Sequence, residues 1–113
     1  MKRANEHAPD KRRERRFSIS QMIDVRFDRE RWVHARGIDL SITGFRCRTM
    51  EELDPGTSIY LQITLDEDTD ITAEAVLIHT ETVEDGMFEA GFAFTAFNGS
   101  SRQHLETFLD HLE

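Results

Sequence analysis

Two groups of polar residues in the sequence have types and spacings suited to ligand binding. Arg12 and Arg16 lie in a dense basic run, and Asp39, Ser41 and Gly44 follow about twenty residues later. Paired guanidinium groups can bind phosphate or the O6/N7 edge of guanine. An aspartate and a serine beside a glycine offer hydrogen-bonding groups next to backbone that lacks a Cβ. Taken alone, each group is better explained as a solvated tail or a hairpin turn; together they favour a phosphate- and purine-bearing ligand.

Other candidate sites are weaker. Asp66, Asp68 and Asp70 have the alternate spacing of a calcium loop, but Ile71 and Leu77 stand where such a loop needs glycine and glutamate. The five histidines are not closely spaced and there is one cysteine, so no metal site is expected. The sequence contains no evident nucleophile–base pair and no glycine-rich phosphate loop. We therefore expect a protein that is not an enzyme.

The charge distribution limits the class of ligand. The chain has 113 residues and a net charge of −8, but residues 1–37 carry +5 and residues 38–113 carry −13. We expect a disordered tail over residues 1–10 and a single domain over residues 11–113. A basic N-terminal arm, within residues 1–37, attracts phosphate, whereas the acidic remainder of the chain repels extended nucleic acid. A small phosphate ligand is therefore favoured over DNA.

The cellular location follows from cysteine usage and hydropathy. Cys47 is the single cysteine, so no internal disulfide can form. No apolar run is long enough to cross a bilayer, and the first sixteen residues lack the apolar segment of a secretory signal. The sequence predicts a cytoplasmic protein without membrane insertion.

Alternation of apolar and polar residues predicts a mainly β protein. In the clearest example, Ile59, Leu61, Ile63 and Leu65 alternate with polar residues. Six strands are predicted, over about residues 17–27, 32–40, 45–49, 59–65, 71–80 and 87–95. The alternation in the first strand changes phase near Gln21, which indicates a β-bulge.

The remaining patterns predict turns and one helix. Asp-Pro-Gly at 54–56 and Asp-Gly at 85–86 are typical of turns, and residues 66–70 are predicted to be an acidic loop. Leu105, Phe108, Leu109 and Leu112 form the apolar stripe of a C-terminal helix. Six short antiparallel strands favour a closed or split barrel, with the helix covering an open end or packing on a partner.

The two polar groups and their order resemble the signature of the PilZ domain family, whose members are bacterial receptors for cyclic di-GMP. The matching segments are Arg12-Arg13-Glu14-Arg15-Arg16 leading into Phe17-Ser18-Ile19, then Asp39-Leu40-Ser41-Ile42-Thr43-Gly44, and finally Ala90-Gly91-Phe92-Ala93-Phe94. The resemblance implies a six-stranded antiparallel split β-barrel with one C-terminal α-helix and a flexible basic N-terminal arm. It implies cyclic di-GMP contacts by Arg12, Arg16, Asp39, Ser41 and Gly44, with Arg13 and Arg15 as possible additional contacts.

The resemblance also implies a function. We expect a cyclic di-GMP receptor or adaptor that orders its arm on the ligand, needs no cofactor, and signals to an effector protein in motility, attachment or exopolysaccharide control. The alternative is a PilZ-like interaction module that does not bind nucleotide. A second open point is the register of the arginines, since counting from Arg15 would place Ile19 at the second arginine position. The register Arg12/Arg16 is preferred because the strand then begins directly at Phe17.

Overall fold

The computed structural model describes residues 16–18, 22–26, 32–50, 52–84 and 86–112, and it confirms a mainly β fold with one C-terminal helix. The strands are β1 (Phe17–Ser18), β2 (Met22–Arg26), β3 (Trp32–Leu40), β4 (Gly44–Thr49), β5 (Ser58–Asp66), β6 (Thr69–Glu84) and β7 (Met87–Phe97). The helix is α1 (Ser101–Leu112). The segment 28–31, between the first two predicted strands, and the predicted tail over 1–10 lie outside the described residues.

The strands form one antiparallel sheet that curls back on itself. Hydrogen-bonded neighbours run in the order β3, β2, β5, β6, β7 and β4, and β4 also pairs with β3. β1 and β2 both pair with the edge of β3 that faces away from β4, so they are two segments of one strand. The predicted count of six strands is therefore confirmed, and the return pairing of β4 with β3 gives the sheet its barrel-like curl.

A register shift separates β1 from β2. Ser18 pairs with Asp39 and Met22 pairs with Arg36, so the chain advances four residues on one side and three on the other. One extra residue on the first strand is what the predicted β-bulge requires, although Gln21 lies outside the described residues. The shift lets Phe17, which packs against the core, pair with the buried Leu40.

The core lies inside the curl and follows the alternation of the sequence. In β5 every second side chain is buried, beginning at Ile59, and β4 buries Phe45 and Cys47 while Arg46 and Arg48 face outward. The rings of Phe45 and Phe92 stack with centroids 5.0 Å apart, which ties β4 to β7. The buried apolar residues are Ala35, Leu40, Ile42, Phe45, Cys47, Ile59, Leu61, Ile63, Leu65, Ile71, Ala73, Ala75, Leu77, Ala90, Phe92, Leu105 and Leu109.

Two hairpins differ from the prediction: the β5–β6 hairpin has a tighter turn, and the β6–β7 hairpin has longer strands. Residues 67–68 alone separate β5 from β6, so the expected acidic loop over 66–70 is wrong. The Asp66 carboxylate accepts the Asp68 N–H at 2.9 Å, which helps to close this turn. The predicted strands over 71–80 and 87–95 are too short, because β6 runs from Thr69 to Glu84 and β7 continues to Phe97. The outer half of β6, beyond Ile78, is largely polar, so alternation gave no signal for it.

The helix covers one side of the sheet and does not need a partner to bury its stripe. Leu105 and Leu109 belong to the core, and Phe108 packs against it, whereas Leu112 is 44% exposed. The Thr72 N–H of β6 donates to the Ser101 hydroxyl at 3.0 Å and fixes the start of the helix. The predicted stripe therefore packs on the protein's own sheet, except at its last residue.

Candidate functional site

The Asp39 carboxylate lies between two arginines on the outer face of the sheet. Arg16 Nη1 donates to Asp39 Oδ1 at 2.8 Å, and Arg46 Nε donates to Asp39 Oδ2 at 2.6 Å. The Asp39 side chain is 9% exposed, while those of Arg16 and Arg46 are 44% and 47% exposed. A nearly buried carboxylate is thus satisfied by two arginines that still present donors to solvent.

Strand register places these three side chains together. Asp39 pairs with Ser18 on one side and with Arg46 on the other, and Arg16 lies two residues before Ser18. The β3–β4 pairing shifts by one residue between Gly37 and Asp39. Without that shift Asp39 would stand opposite Phe45, on the buried face of the sheet. The bulge therefore turns the aspartate towards Arg46 and the outer face.

The network extends across β7 to a second carboxylate. Arg46 Nη1 donates to Glu89 Oε1 at 3.3 Å, and Arg48 Nε lies 3.7 Å from Glu89 Oε2. We refer to Arg16, Asp39, Arg46, Glu89 and Arg48 as the arginine–carboxylate network. The hydrogen bond to Asp39 and its negative charge raise the pKa of Arg46 above its ordinary value. An arginine is charged at every physiological pH even at its ordinary pKa, and this partner only strengthens that preference, as suits an anion-binding group.

Ser41 holds the turn that follows Asp39. Its side chain is fully buried, and its hydroxyl oxygen accepts the N–H groups of Thr43 and Gly44, each at 3.2 Å. The Ser41 N–H donates to the Gly44 carbonyl at 2.8 Å and closes the hairpin. The Ser41 hydroxyl lies 3.0 Å from that of Thr43. In this structure Ser41 therefore acts on the shape of the turn.

Gly44 is required for packing against β7. A Cβ built at this position would collide with the carbonyl oxygen of Phe92. Gly44 does not adopt a positive φ, unlike Gly56, Gly86 and Gly99. Glycine is therefore needed at this position for its small size and not for a left-handed backbone. Its small size lets β4 approach β7, and the Phe94 N–H donates to the Thr43 carbonyl at 2.9 Å beside it.

The structure brings together part of the site expected from the sequence. Arg16 and Asp39 are in direct contact, and Ser41 and Gly44 form the turn beside them. The expected contacts by Arg12, Arg13 and Arg15 lie outside the described residues. Arg16 stands directly before β1 and reaches Asp39. The preferred register of the two arginines stays a prediction.

Sequence reasoning missed three members of the network, namely Arg46, Arg48 and Glu89. A signal was present, since the two arginines alternate with the buried Phe45 and Cys47 directly after the predicted turn. Outward-facing charges next to a candidate site are the ones most able to join it. Their partners could be identified only once the strand register was known.

Two further kinds of site were sought among the described residues. No group of three or more histidine, cysteine, aspartate or glutamate side chains there is arranged to hold a metal ion. Within the same part of the chain, no helix has the length and apolar content needed to span a membrane.

Comparison of the fold with solved structures finds similar proteins at low identity. MotI/DgrA, an inhibitor of motility from Bacillus subtilis, matches with a TM-score of 0.72 at 16% identity over 85% of this chain and 48% of that one. Apo MrkH of K. pneumonia matches with a TM-score of 0.72 at 16% identity, over 87% of this chain and 49% of that one. This chain thus spans about half the length of those two structures. The PilZ domain of YcgR from Escherichia coli, solved with c-di-GMP, matches with a TM-score of 0.62 at 15% identity, over 87% of this chain and 88% of that one.

Comparison at the level of sequence identifies the family. No curated protein matches this chain. The family model for the PilZ domain matches residues 10–111, which include every element of the fold except the last helical residue. PilZ-domain proteins are cyclic di-GMP receptors in motility and biofilm control, and they are receptors or adaptors, not enzymes. The chain belongs to the PilZ domain family.

Proposed function

We propose that this protein is a non-enzymatic cyclic di-GMP receptor or adaptor of the bacterial cytoplasm. The observation that carries the proposal is the Asp39 carboxylate, which is nearly buried yet shared by two half-exposed arginines. Cyclic di-GMP carries two phosphates and two guanines, so it offers both the anions that arginine binds and the purine edges that arginine and aspartate recognise. Family membership supports the same ligand.

The ion pairs at Asp39 indicate how the ligand enters the site, by replacing Asp39 as a partner of arginine. In the free protein Arg16 and Arg46 each use one oxygen of Asp39. A phosphate or a guanine O6/N7 edge can replace Asp39 as the partner of Arg16. The N1–H and N2–H₂ groups of a guanine can then donate to the oxygen that Arg16 releases. Binding therefore swaps one set of charge-assisted hydrogen bonds for another, without leaving Asp39 unsatisfied.

Ser41 and Gly44 support this exchange by fixing its geometry. The Ser41 hydroxyl is used inside the turn, and Gly44 is pressed against Phe92. A turn held in this way keeps the end of β3 rigid, and with it Asp39. We therefore assign both residues to the fixed wall of the site, whether or not they also touch the ligand.

The basic arm supplies the moving part of the site in this proposal. Arg12 binds the ligand together with Arg16, and Arg13 and Arg15 add phosphate contacts. Ordering the arm on the ligand changes the surface that an effector protein meets, which passes the signal on in control of motility, attachment or exopolysaccharide. The entropy of ordering the arm lowers the affinity but makes its conformation ligand-dependent.

Isothermal titration calorimetry with cyclic di-GMP tests the proposal. The proteins are the wild type, Arg16→Ala, Asp39→Ala and the control Arg102→Ala. Arg102 is an exposed helix residue that faces Glu106 at 3.9 Å, so its removal deletes the same charge outside the network. We expect the wild type and Arg102→Ala to bind alike, and the two site variants to bind at least tenfold more weakly.

Two results would contradict the proposal in different ways. Absence of binding by the folded wild type would leave the alternative, an interaction module that does not bind nucleotide. Equal binding by all four proteins would show a nucleotide receptor whose site lies elsewhere. Circular dichroism of each variant establishes that a loss of affinity does not reflect a loss of fold.

A further inference from the structure

Two exposed arginines face each other one step along the sheet from Asp39. Arg36 of β3 and Arg48 of β4 are Cα partners in the antiparallel ladder, so their side chains leave the same face. Both are exposed. Like charges placed directly opposite each other on a sheet repel and destabilise the pairing. An unfavourable pair of this kind beside a candidate anion site calls for an explanation.

The carboxylates of this face are already shared. Asp39 binds Arg16 and Arg46, and Glu89 lies between Arg46 and Arg48. Among the residues whose side chains the structure describes, which do not include 22–26 and 32–34, Arg36 forms no ion pair. Within that set, four arginines meet two carboxylates on the β3–β4 side of this face.

Acidic residues of β6 and β7 lie on one side of this face. Glu81 of β6 stands opposite Glu89 across the β6–β7 ladder, and its carboxylate is 3.9 Å from His79. On β2, the residue paired with Arg36 is Met22, and Asp24 is paired with His34. Arg48 is one of three arginines in the segment 38–113, whose net charge is −13.

We propose that Arg36 and Arg48 form a second phosphate subsite for cyclic di-GMP, adjacent to the one at Arg16 and Asp39. The inference rests on the proposed function and extends it to two residues outside the family signature. The Arg36–Arg48 pair lies two residues along β4 from the Asp39–Arg46 pair, about 7 Å at the usual rise of a strand. Two guanidinium groups facing one gap can hold a phosphodiester from both sides, which removes their mutual repulsion.

The phosphodiester has two possible sources. It is the second phosphate of the same cyclic di-GMP molecule, or it belongs to a second molecule stacked on the first. The chemistry of the subsite is the same in both cases, and the binding stoichiometry distinguishes them. Loss of the subsite weakens the affinity at constant stoichiometry in the first case and lowers the stoichiometry from two to one in the second.

Calorimetry with cyclic di-GMP on the wild type, Arg36→Gln, Arg48→Gln, the double variant and the control Arg102→Gln tests the subsite. Arg36→Gln is the cleaner variant, because Arg48 also faces Glu89. We expect each single variant to lose about tenfold in affinity or one bound ligand, and Arg102→Gln to lose neither. Raising the NaCl concentration should weaken wild-type binding more steeply than binding by Arg36→Gln.

The results separate the inference from the function on which it rests. Affinity and stoichiometry of Arg36→Gln and the double variant equal to those of Arg102→Gln would overturn the subsite and leave the receptor function intact. Absence of binding by the wild type would overturn both. Thermal unfolding of each variant shows whether the fold is retained; removal of one of two facing like charges should not destabilise it.

Discussion

At the scale of single residues, Asp39 has to satisfy two demands that usually conflict. A carboxylate that is nearly buried needs strong partners, because an unpaired charge in that position is costly. A carboxylate that recognises a ligand needs acceptor capacity that can be released. Arg16 and Arg46 reconcile the two, since they are close enough to compensate the charge and exposed enough to exchange partners. Solvent screening of half-exposed arginines keeps each ion pair weak, at about 1 kcal/mol or less.

Cys47 illustrates the opposite case, a titratable group that burial makes inert. The thiol is buried in β4, and desolvation raises its pKa to about 12, with a smaller contribution from Glu89. Free cysteine titrates near pH 8.5, so the unfolded chain loses this proton at roughly pH 8.5, well below the pKa of the folded chain. Between these values the folded state binds more protons, and its stability falls as the pH rises.

This linkage gives a prediction for the pH dependence of stability. Above about pH 9 the free energy of unfolding of the wild type should fall more steeply than that of Cys47→Ala, with a difference approaching 1.4 kcal/mol per pH unit. Urea denaturation at pH 7, 9 and 10 measures it. The variant is its own control for the other groups that titrate in this range. Equal slopes in the two proteins would show that the thiol ionises in the folded state at its ordinary pKa.

The sequence could predict some of the site at this scale and not the rest. Arg16 and Asp39 stood out because each belongs to a recognisable spacing, and the structure joins them. Arg46 did not stand out, because its partner depends on a one-residue shift in the β3–β4 register. A bulge between Gly37 and Asp39 has no distinctive sequence pattern, yet it decides which side of the sheet Asp39 faces.

At the scale of elements, the hairpin between β3 and β4 connects the core to the site. Ile42 in the turn is buried in the core, while Asp39, near the end of β3, faces Arg46 on the outer surface. Ser41 binds two backbone N–H groups within three residues, which fixes the turn locally. Gly44 then docks the hairpin onto β7. The loop residues of the family signature therefore have a structural role that does not depend on a ligand.

Two glycines on facing strands allow a matched test of this role. Alanine at Gly44 would collide with the Phe92 carbonyl, whereas alanine at Gly91 would meet Arg46 Cγ at 3.7 Å, an ordinary contact. We expect Gly44→Ala to lower the free energy of unfolding by about 2–3 kcal/mol, because backbone atoms must move. Gly91→Ala should change it by less than about 1 kcal/mol. Urea denaturation compares them.

The outcome also decides which glycine lets two strands approach closely. A glycine inside a strand, such as Gly91, often marks a close approach of two backbones, but the close approach in the structure is at Gly44. A larger loss of stability for Gly91→Ala than for Gly44→Ala would contradict the structure. Sequence alone could not rank them, because the distance between strands depends on partners far apart in the chain.

At the scale of the whole molecule, the fold was more predictable than the site. Alternation in β4, β5 and the inner half of β6 marks one buried face, and the helical stripe at Leu105 marks a cover for it. These patterns are repeated over many residues, so local exceptions do not hide them. The length of β6 was underestimated because its outer half, beyond Ile78, is largely polar on both faces. A ladder with little core contact carries no periodic signal.

The separation of scaffold from site predicts how the ligand affects global stability. Ligand that binds the folded state alone stabilises it by RT ln(1 + [L]/Kd), about 2.7 kcal/mol at a hundredfold excess over Kd. For Arg16→Ala at the same ligand concentration, a tenfold increase in Kd would leave about 1.4 kcal/mol and a hundredfold increase about 0.4 kcal/mol. Cyclic di-GMP should therefore raise the Tm of the wild type by several degrees and that of Arg16→Ala by clearly less.

A core variant is the control that makes this result specific to the site. Leu105 is fully buried between the helix and the sheet, so Leu105→Ala should lower the Tm without ligand through the loss of about 2–5 kcal/mol. Because Leu105 is outside the arginine–carboxylate network, its variant should keep the wild-type increase on adding ligand. Differential scanning calorimetry measures all three proteins. Loss of the ligand-induced increase in Leu105→Ala, with retention in Arg16→Ala, would mean that the helix, and not the outer face of β3 and β4, holds the nucleotide.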